Sequence, residues 1–175
     1  MVFTGSRIPG AFVVDVEPAP DSRGIFARTF CELEFAQNGL ASRFVQCSTS
    51  YNVIRGTLRG MHYQAEPHSE AKLVRCTAGA IYDVIVDLRP YSSMFRRWVA
   101  VELTAENRRA LYIPAGVAHG FQTMVDHSEV FYQITEHYHA GSARGLRWND
   151  PVLAIDWPVL PPILSERDAN FPDLE

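Results

Sequence analysis

No stretch of this 175-residue chain stays apolar for the roughly 20 residues a membrane-crossing helix needs. A membrane-spanning helical protein is thereby excluded. The opening MVFTGSRIPGAFVVDVEP has too short an apolar run, and no cleavage pattern, for a signal peptide. The expected compartment is the cytoplasm. Cysteine is scarce: Cys31, Cys47 and Cys76 are an odd number without zinc spacing. That argues against a disulfide framework or a zinc module and predicts free, mostly buried thiols. An excess of positive charge is also missing. The formal net charge of −4 argues against a general nucleic-acid binder. An anionic ligand must then be held by a local basic cluster and not by the overall field. Finally, there is no internal repeat, linker or low-complexity run. One domain over residues 1–175, large enough for a substantial core, is the expectation.

What the chain does contain is a series of short β-patterned segments separated by turn residues. Phe12 to Val16 is closed by the proline-rich Glu17–Pro20, and Asp21-Ser22-Arg23-Gly24 turns into a strand expected over 25–30. A short helix over 31–38 is stopped by Gly39. Residues 44–52 are polar but β-prone. Lys72 to Thr77 alternates so that Lys72 and Arg75 face opposite sides. Ile81, Asp83, Ile85 and Asp87 share one face of the next strand. Tyr82, Val84, Val86 and Leu88 share the other. Further strands are predicted over 98–103, 110–113, 120–124 and 129–136. After Gly141 the chain turns irregular and rich in Trp and Pro, and Ser165-Glu166-Arg167-Asp168 reads as a capped helix start. Many short strands with little helix predict an all-β sandwich or barrel.

The chemistry concentrates around His62 in RGTLRGMHYQ. An imidazole titrates near neutrality and can take or release a proton at working pH. Arg59, three residues earlier, suits a bidentate phosphate contact. Lys72 is costly if it points inward without an anionic partner; alternation equally allows an outward, strand-end lysine. Tyr132 and Tyr138 share a face if their strand runs unbroken, although a barrel-filling role is the commoner fate of a tyrosine. Asp168 can serve as nothing more than a helix cap.

Gly56 with His62, and Pro114-Ala115-Gly116-Val117-Ala118-His119, fit the two motifs of the cupin fold, a double-stranded jelly roll. Metal-binding cupins carry His-x-His in the first motif. Here the second position is Gln64, a poor ligand for a transition metal. His62, His119 and Glu70 remain as donors, with His68 in a proline-containing loop. No metal is expected.

The stretches DSRGIFARTF, RGTLRGMHYQ, EAKLVRCTAGAIYDVIVDLRP, LYIPAGVAHGFQT, GLRWNDP, IDWP and LSERD, with Tyr132 and Tyr138 between them, occur in the order seen in one family. The chain resembles the dTDP-4-dehydrorhamnose 3,5-epimerases, over about residues 13–168. The resemblance implies a cupin-type jelly-roll homodimer acting on a dTDP-4-keto-6-deoxyhexose without a cofactor. It implies His62 as base, Tyr132 as acid on the opposite face of the sugar, Lys72 beside the keto oxygen and Asp168 behind the histidine. Arg23, Gln46, Ser48, Arg59, His119, Tyr138 and Arg167 fall at ligand-binding positions, Arg23 reaching the neighbouring subunit's site. Arg28 and Ala143 stand where the family usually has acidic residues, and the segment 46–50 is one residue longer than usual. These departures touch the substrate rim. The competing readings are a metal-dependent cupin enzyme, disfavoured by Gln64, and a non-catalytic sugar-nucleotide binder, disfavoured by Tyr132.

Overall fold

A computed structural model describes residues 1–174. In chain order the elements are β1 (Val2–Gly5), β2 (Phe12–Asp15), β3 (Ala19–Asp21), β4 (Gly24–Phe26), α1 (Glu32–Gln37), β5 (Gln46–Asn52), β6 (Leu58–Gln64), β7 (Lys72–Ala78), β8 (Ala80–Asp87), β9 (Trp98–Thr104), β10 (Ala110–Ile113), β11 (Val117–Thr123), β12 (Ser128–Ile134), β13 (Ala143–Gly145) and α2 (Glu166–Ala169). They form a six-stranded sheet, β1-β2-β10-β7-β12-β5, and a five-stranded sheet, β13-β6-β11-β8-β9. Strands β3 and β4 pair only with each other. This is the all-β fold expected from the strand pattern, in the cupin-type jelly roll expected from the two histidine motifs.

Both faces of β8 are buried, as its alternation requires. Ile81 and Ile85 pack between the sheets with Val74, Leu111, Phe121 and Val130. Val84 and Val86 face the other way. There they meet Leu146, Leu153, Ile155 and Trp157, so the Trp- and Pro-rich stretch after Gly141 serves as the lid of a second core. A third core forms where Phe35 of α1 packs edge-on against Phe3 and Tyr112. No helix among the described residues is long and apolar enough to cross a membrane.

Three expectations need correction. The strand expected over 25–30 ends at Phe26, because its only partner is the three-residue β3. Pro20 is tolerated in β3 because that two-stranded arm has no central position. Strand β12 ends at Ile134, so Tyr138 lies beyond it and strand alternation does not link it to Tyr132. Of the three thiols only Cys76 is buried; Cys47 is exposed and Cys31 intermediate. Burial pushes the Cys76 thiol up to about 11.

Candidate active site

Strands β6 and β11 pair with His62 directly opposite His119. Opposed residues of an antiparallel pair project to the same face, so the two motif histidines stand side by side. The pairing is irregular between His119 and Phe121, where two glycines meet. A Cβ on Gly60, whose φ is +132°, would lie 2.5 Å from the Gly120 Cα, so no larger residue fits this crossing.

Asp168 reaches His62 from the far end of the chain. The segment before α2 is pinned beside β6 by the Thr57–Ile163 bridge and by Leu58 N–H donating to Ile163 O at 2.8 Å. Ser165 caps α2 by accepting from the Asp168 N–H at 3.1 Å. The Asp168 side chain is left free to turn inward. Its Oδ1 lies 2.9 Å from His62 Nε2, and its Oδ2 accepts from Gly60 N–H at 3.2 Å. Burial pushes this carboxyl up, but the His62 and Gly60 contacts outweigh it and hold it below the ordinary aspartate range. A charged Asp168 accepts a hydrogen bond from Nε2–H, which leaves Nδ1 as the ring's free basic nitrogen. Phe171 packs edge-on against the imidazole at 5.6 Å. It sits where a side chain on residue 145 would be, since a Cβ on Gly145 would come within 2.3 Å of its ring.

His119 has a carboxylate of its own that the sequence reading did not assign to the site. Its Nε2 lies 3.0 Å from Oδ2 of Asp83, which is fully buried on β8. Burial drives the Asp83 carboxyl up, against the opposing pull of His119 and Lys72. The signal was an acid among the inward-facing isoleucines of β8. The Tyr132 ring meets His119 edge-on at 6.0 Å. Burial, and then the Asp83 charge, push its phenol well above the ordinary value, with Arg59 pulling the other way.

Lys72 points inward. Its side chain is 12% exposed and Nζ pairs with Glu70 Oε1 at 3.0 Å. The lysine therefore has the anionic partner that an inward position demands, and Glu70 is engaged by an ammonium. Four buried side-chain polar atoms lack a hydrogen-bond partner among the described residues, and three belong to this neighbourhood: Ser50 Oγ, Glu70 Oε2 and Asp83 Oδ1. Unsatisfied buried groups are rare, and three of the four gather around this cleft.

The cleft has two chambers of about 340 and 320 Å³ that share Ser48, His62, Lys72 and Ile134. The first is walled by Arg59, Ser50, His119 and Tyr132. The second is walled by Gln46, Gln64, Glu136, Tyr138, Ala143 and Arg167. Arg59 is steadied by Nε donating to Asn52 Oδ1 at 2.7 Å. Gln46 accepts from the Tyr138 backbone N–H, bringing that exposed tyrosine to the cleft. Arg167 lies over the Phe171 ring at 5.5 Å. Ten of the eleven predicted site residues thus adjoin one cleft, nine as lining groups and Asp168 through His62. The eleventh, Arg23, does not. It sits at the tip of the β3–β4 arm, 88% exposed and paired with Asp21 at 2.6 Å. The donors weighed for a metal do not converge either, since His62, His119 and Glu70 each face a separate partner.

Comparisons with known proteins point to one family. A family model described as dTDP-4-dehydrorhamnose 3,5-epimerase matches residues 5–175. A dTDP-4-dehydrorhamnose 3,5-epimerase of Methanothermobacter thermautotrophicus is 45% identical, over 98% of this chain and 94% of the relative. A crystal structure of the Bacillus anthracis dTDP-4-dehydrorhamnose 3,5-epimerase with TDP and PPi bound is 40% identical, with a TM-score of 0.96 over 99% of each chain. The Streptomyces bikiniensis 3'-monoepimerase ChmJ, in complex with dTDP-quinovose, is 33% identical, with a TM-score of 0.89 over 96% of this chain and 85% of that one.

Proposed function

The chain belongs to the dTDP-4-dehydrorhamnose 3,5-epimerase family, and from that premise we propose that it is an isomerase inverting C3, C5 or both of a dTDP-4-keto-6-deoxyhexose. The observation that carries the reading is a base and a protonated phenol walling one chamber, with an ammonium beside the base.

A C–H bond next to a ketone becomes acidic when the developing enolate is stabilised. Lys72 supplies positive charge for that oxygen from a largely buried side chain. His62 Nδ1 takes the proton, the C–H pair moves into the enolate, and Asp168 steadies the imidazolium. Inversion requires the proton to return on the other face. Tyr132 delivers it from its phenol, and the resulting phenolate sits in the field of Arg59. His62 and Tyr132 then exchange with solvent to reset. Arg59 is assigned to the diphosphate. Gln46, Ser48, His119, Tyr138 and Arg167 are assigned to the rest of the nucleotide sugar. The orphaned Glu70 Oε2 supports a hydroxyl-bearing ligand at this place.

We assign the chain to the cytoplasm as one catalytic domain within a homodimer. Arg23 reaches the neighbouring subunit's cleft. The arm that bears it supports this, since it holds no sheet of its own chain and leaves Ile25 44% and Phe26 78% exposed.

The test is NMR of dTDP-4-keto-6-deoxyglucose with the enzyme in D2O. Deuterium should enter at C3, at C5 or at both, with the configuration inverted at the labelled carbon. The relatives include a 3,5-epimerase and a 3'-monoepimerase, and the labelled positions decide between them. An unlabelled, unchanged sugar would overturn the assignment.

A further inference from the structure

Gln64, buried in β6, uses its amide to clamp two loops together. Its Nε2 donates to His68 O at 3.0 Å and to His137 O at 3.1 Å, and its Oε1 accepts from His139 N–H at 2.6 Å. The clamp brings His68 from the β6–β7 connection onto His139 from the segment after β12. Their rings stack at 3.5 Å between centroids and 13° between planes. Glu136 joins them, its Oε1 lying 3.7 Å from His139 Nε2. Among the described residues this is the one group of three potential donors whose ligand atoms all lie within 4.8 Å of one another. No protein hydrogen bond to either ring occurs among the described residues. Both imidazoles are partly exposed and free to turn.

We propose that His68, Glu136 and His139 form a binding site for a divalent transition metal, of the zinc class, separate from the proton-transfer centre. Two imidazoles and a carboxylate are a donor set that zinc accepts, with water in the fourth tetrahedral position. Tetrahedral ligands about 2.0–2.1 Å from the ion lie roughly 3.3 Å apart. The His139–Glu136 pair is near that spacing already. The stacked rings must turn out of parallel so that their lone pairs converge on the ion, and χ2 of histidine is a soft torsion. Gln64 holds the backbone of both loops while the rings turn. The site abuts the cleft, because Glu136 is one of its walls. An ion there places positive charge at the rim where the carboxylate had placed negative. No step of the epimerisation runs through it.

The test is calorimetric titration of EDTA-stripped, full-length protein with zinc alone, together with the visible spectrum of its cobalt(II) form. The readout is independent of activity, so failure of the epimerase reading would leave it interpretable. One ion per chain and tetrahedral cobalt bands are expected. His68→Ala and His139→Ala should each weaken zinc at least about tenfold, since loss even of supporting groups around a metal typically costs 10- to 100-fold. His137→Ala, removing a neighbouring exposed imidazole outside the cluster, should bind as the wild type does. Circular dichroism checks that each variant is folded. Wild-type affinity no higher than that of the folded His68→Ala/His139→Ala double variant would overturn the site, as would loss of binding in His137→Ala.

Discussion

Tyr132→Phe separates proton removal from inversion. The substitution leaves the ring edge-on to His119 at 6.0 Å and deletes only the hydroxyl. Loss of one hydroxyl and its hydrogen bonding should change stability by only about 0.5–1.5 kcal/mol. His62, Asp168 and Lys72 are untouched, so the enolate still forms. What disappears is the donor on the opposite face. Burial and Asp83 keep the Tyr132 phenol protonated, and the deletion leaves that face no equivalent acid. His119 is engaged by Asp83 at 3.0 Å, and the Ser48 and Ser50 hydroxyls are far weaker acids. A positioned general acid contributes about 10²- to 10⁴-fold, or about 3–5 kcal/mol at 1.36 kcal/mol per decade. Inversion should fall by that factor. Solvent deuterium should still enter the recovered sugar, within about tenfold of the wild-type rate, because the deuteron returns from His62 on the original face. The assay is NMR of the 4-keto sugar nucleotide in D2O, following label and configuration together. Inversion at the wild-type rate would refute the role of Tyr132. Label and inversion lost in parallel would also refute it, since Tyr132 would then be needed to form the enolate.

Three further outcomes follow from the same geometry. Arg59→Ala should weaken plain dTDP by about 1.5–3 kcal/mol in calorimetry, the size of one charge-assisted contact; unchanged affinity would remove Arg59 from the diphosphate. Glu70→Ala should free Lys72 to swing and lower kcat about tenfold or more with KM little changed, whereas Glu70→Gln, which keeps an acceptor for Nζ, should recover most of the loss; wild-type kinetics in both variants would show that the pair does not position the lysine. Asp168→Asn should cost about 1.5–3 kcal/mol of folding stability near neutrality. The sign with pH is fixed, because the folded Asp168 titrates below its unfolded value of about 3.9. Its contribution is present above that value and is lost as pH falls through the folded one. Denaturant curves of the two proteins should therefore converge below about pH 4, and a constant gap down to pH 3 would remove Asp168 as the source.

Much of this was legible in the chain because strand periodicity is local. The alternation of β8 assigned both of its faces correctly, and β10 was bounded to the residue. Failures came where local pattern and tertiary partner disagree. Residues 27–30 alternate like a strand, but no strand lies beside them, and the Thr29 carbonyl instead accepts from Arg75. Strand β1, which is mostly exposed, and the three-residue β13 escaped the sequence pattern. Cys47 looked like a core thiol by residue type. It lies on β5, at the edge of its sheet, with one flank unpaired.

The site was legible in a different way, through motif spacing, and that explains what it lacked. A motif names the residue that does the chemistry but not the residue that holds it. His62 and Asp168 are 106 positions apart, and His119 and Asp83 are 36 apart. The first pairing was available only because a family pattern contains both members. The second had no such pattern, although the acid was already visible on the inward face of β8. Lys72 makes the point most sharply. Alternation left its direction undecided, because a lysine at a strand end is stable outside at no cost and inside only beside an anion. That anion lies two residues away, and separation alone could not assign it, since Glu70 precedes the strand and no pleat fixes its side chain. Only the fold turns both groups to the same cleft, where Oε1 takes the ammonium and Oε2 is left without a protein partner. The cost of that unsatisfied oxygen is about 1–3 kcal/mol. A sugar hydroxyl entering the cleft can recover it, which ties the binding of substrate to the residue that holds the lysine in place.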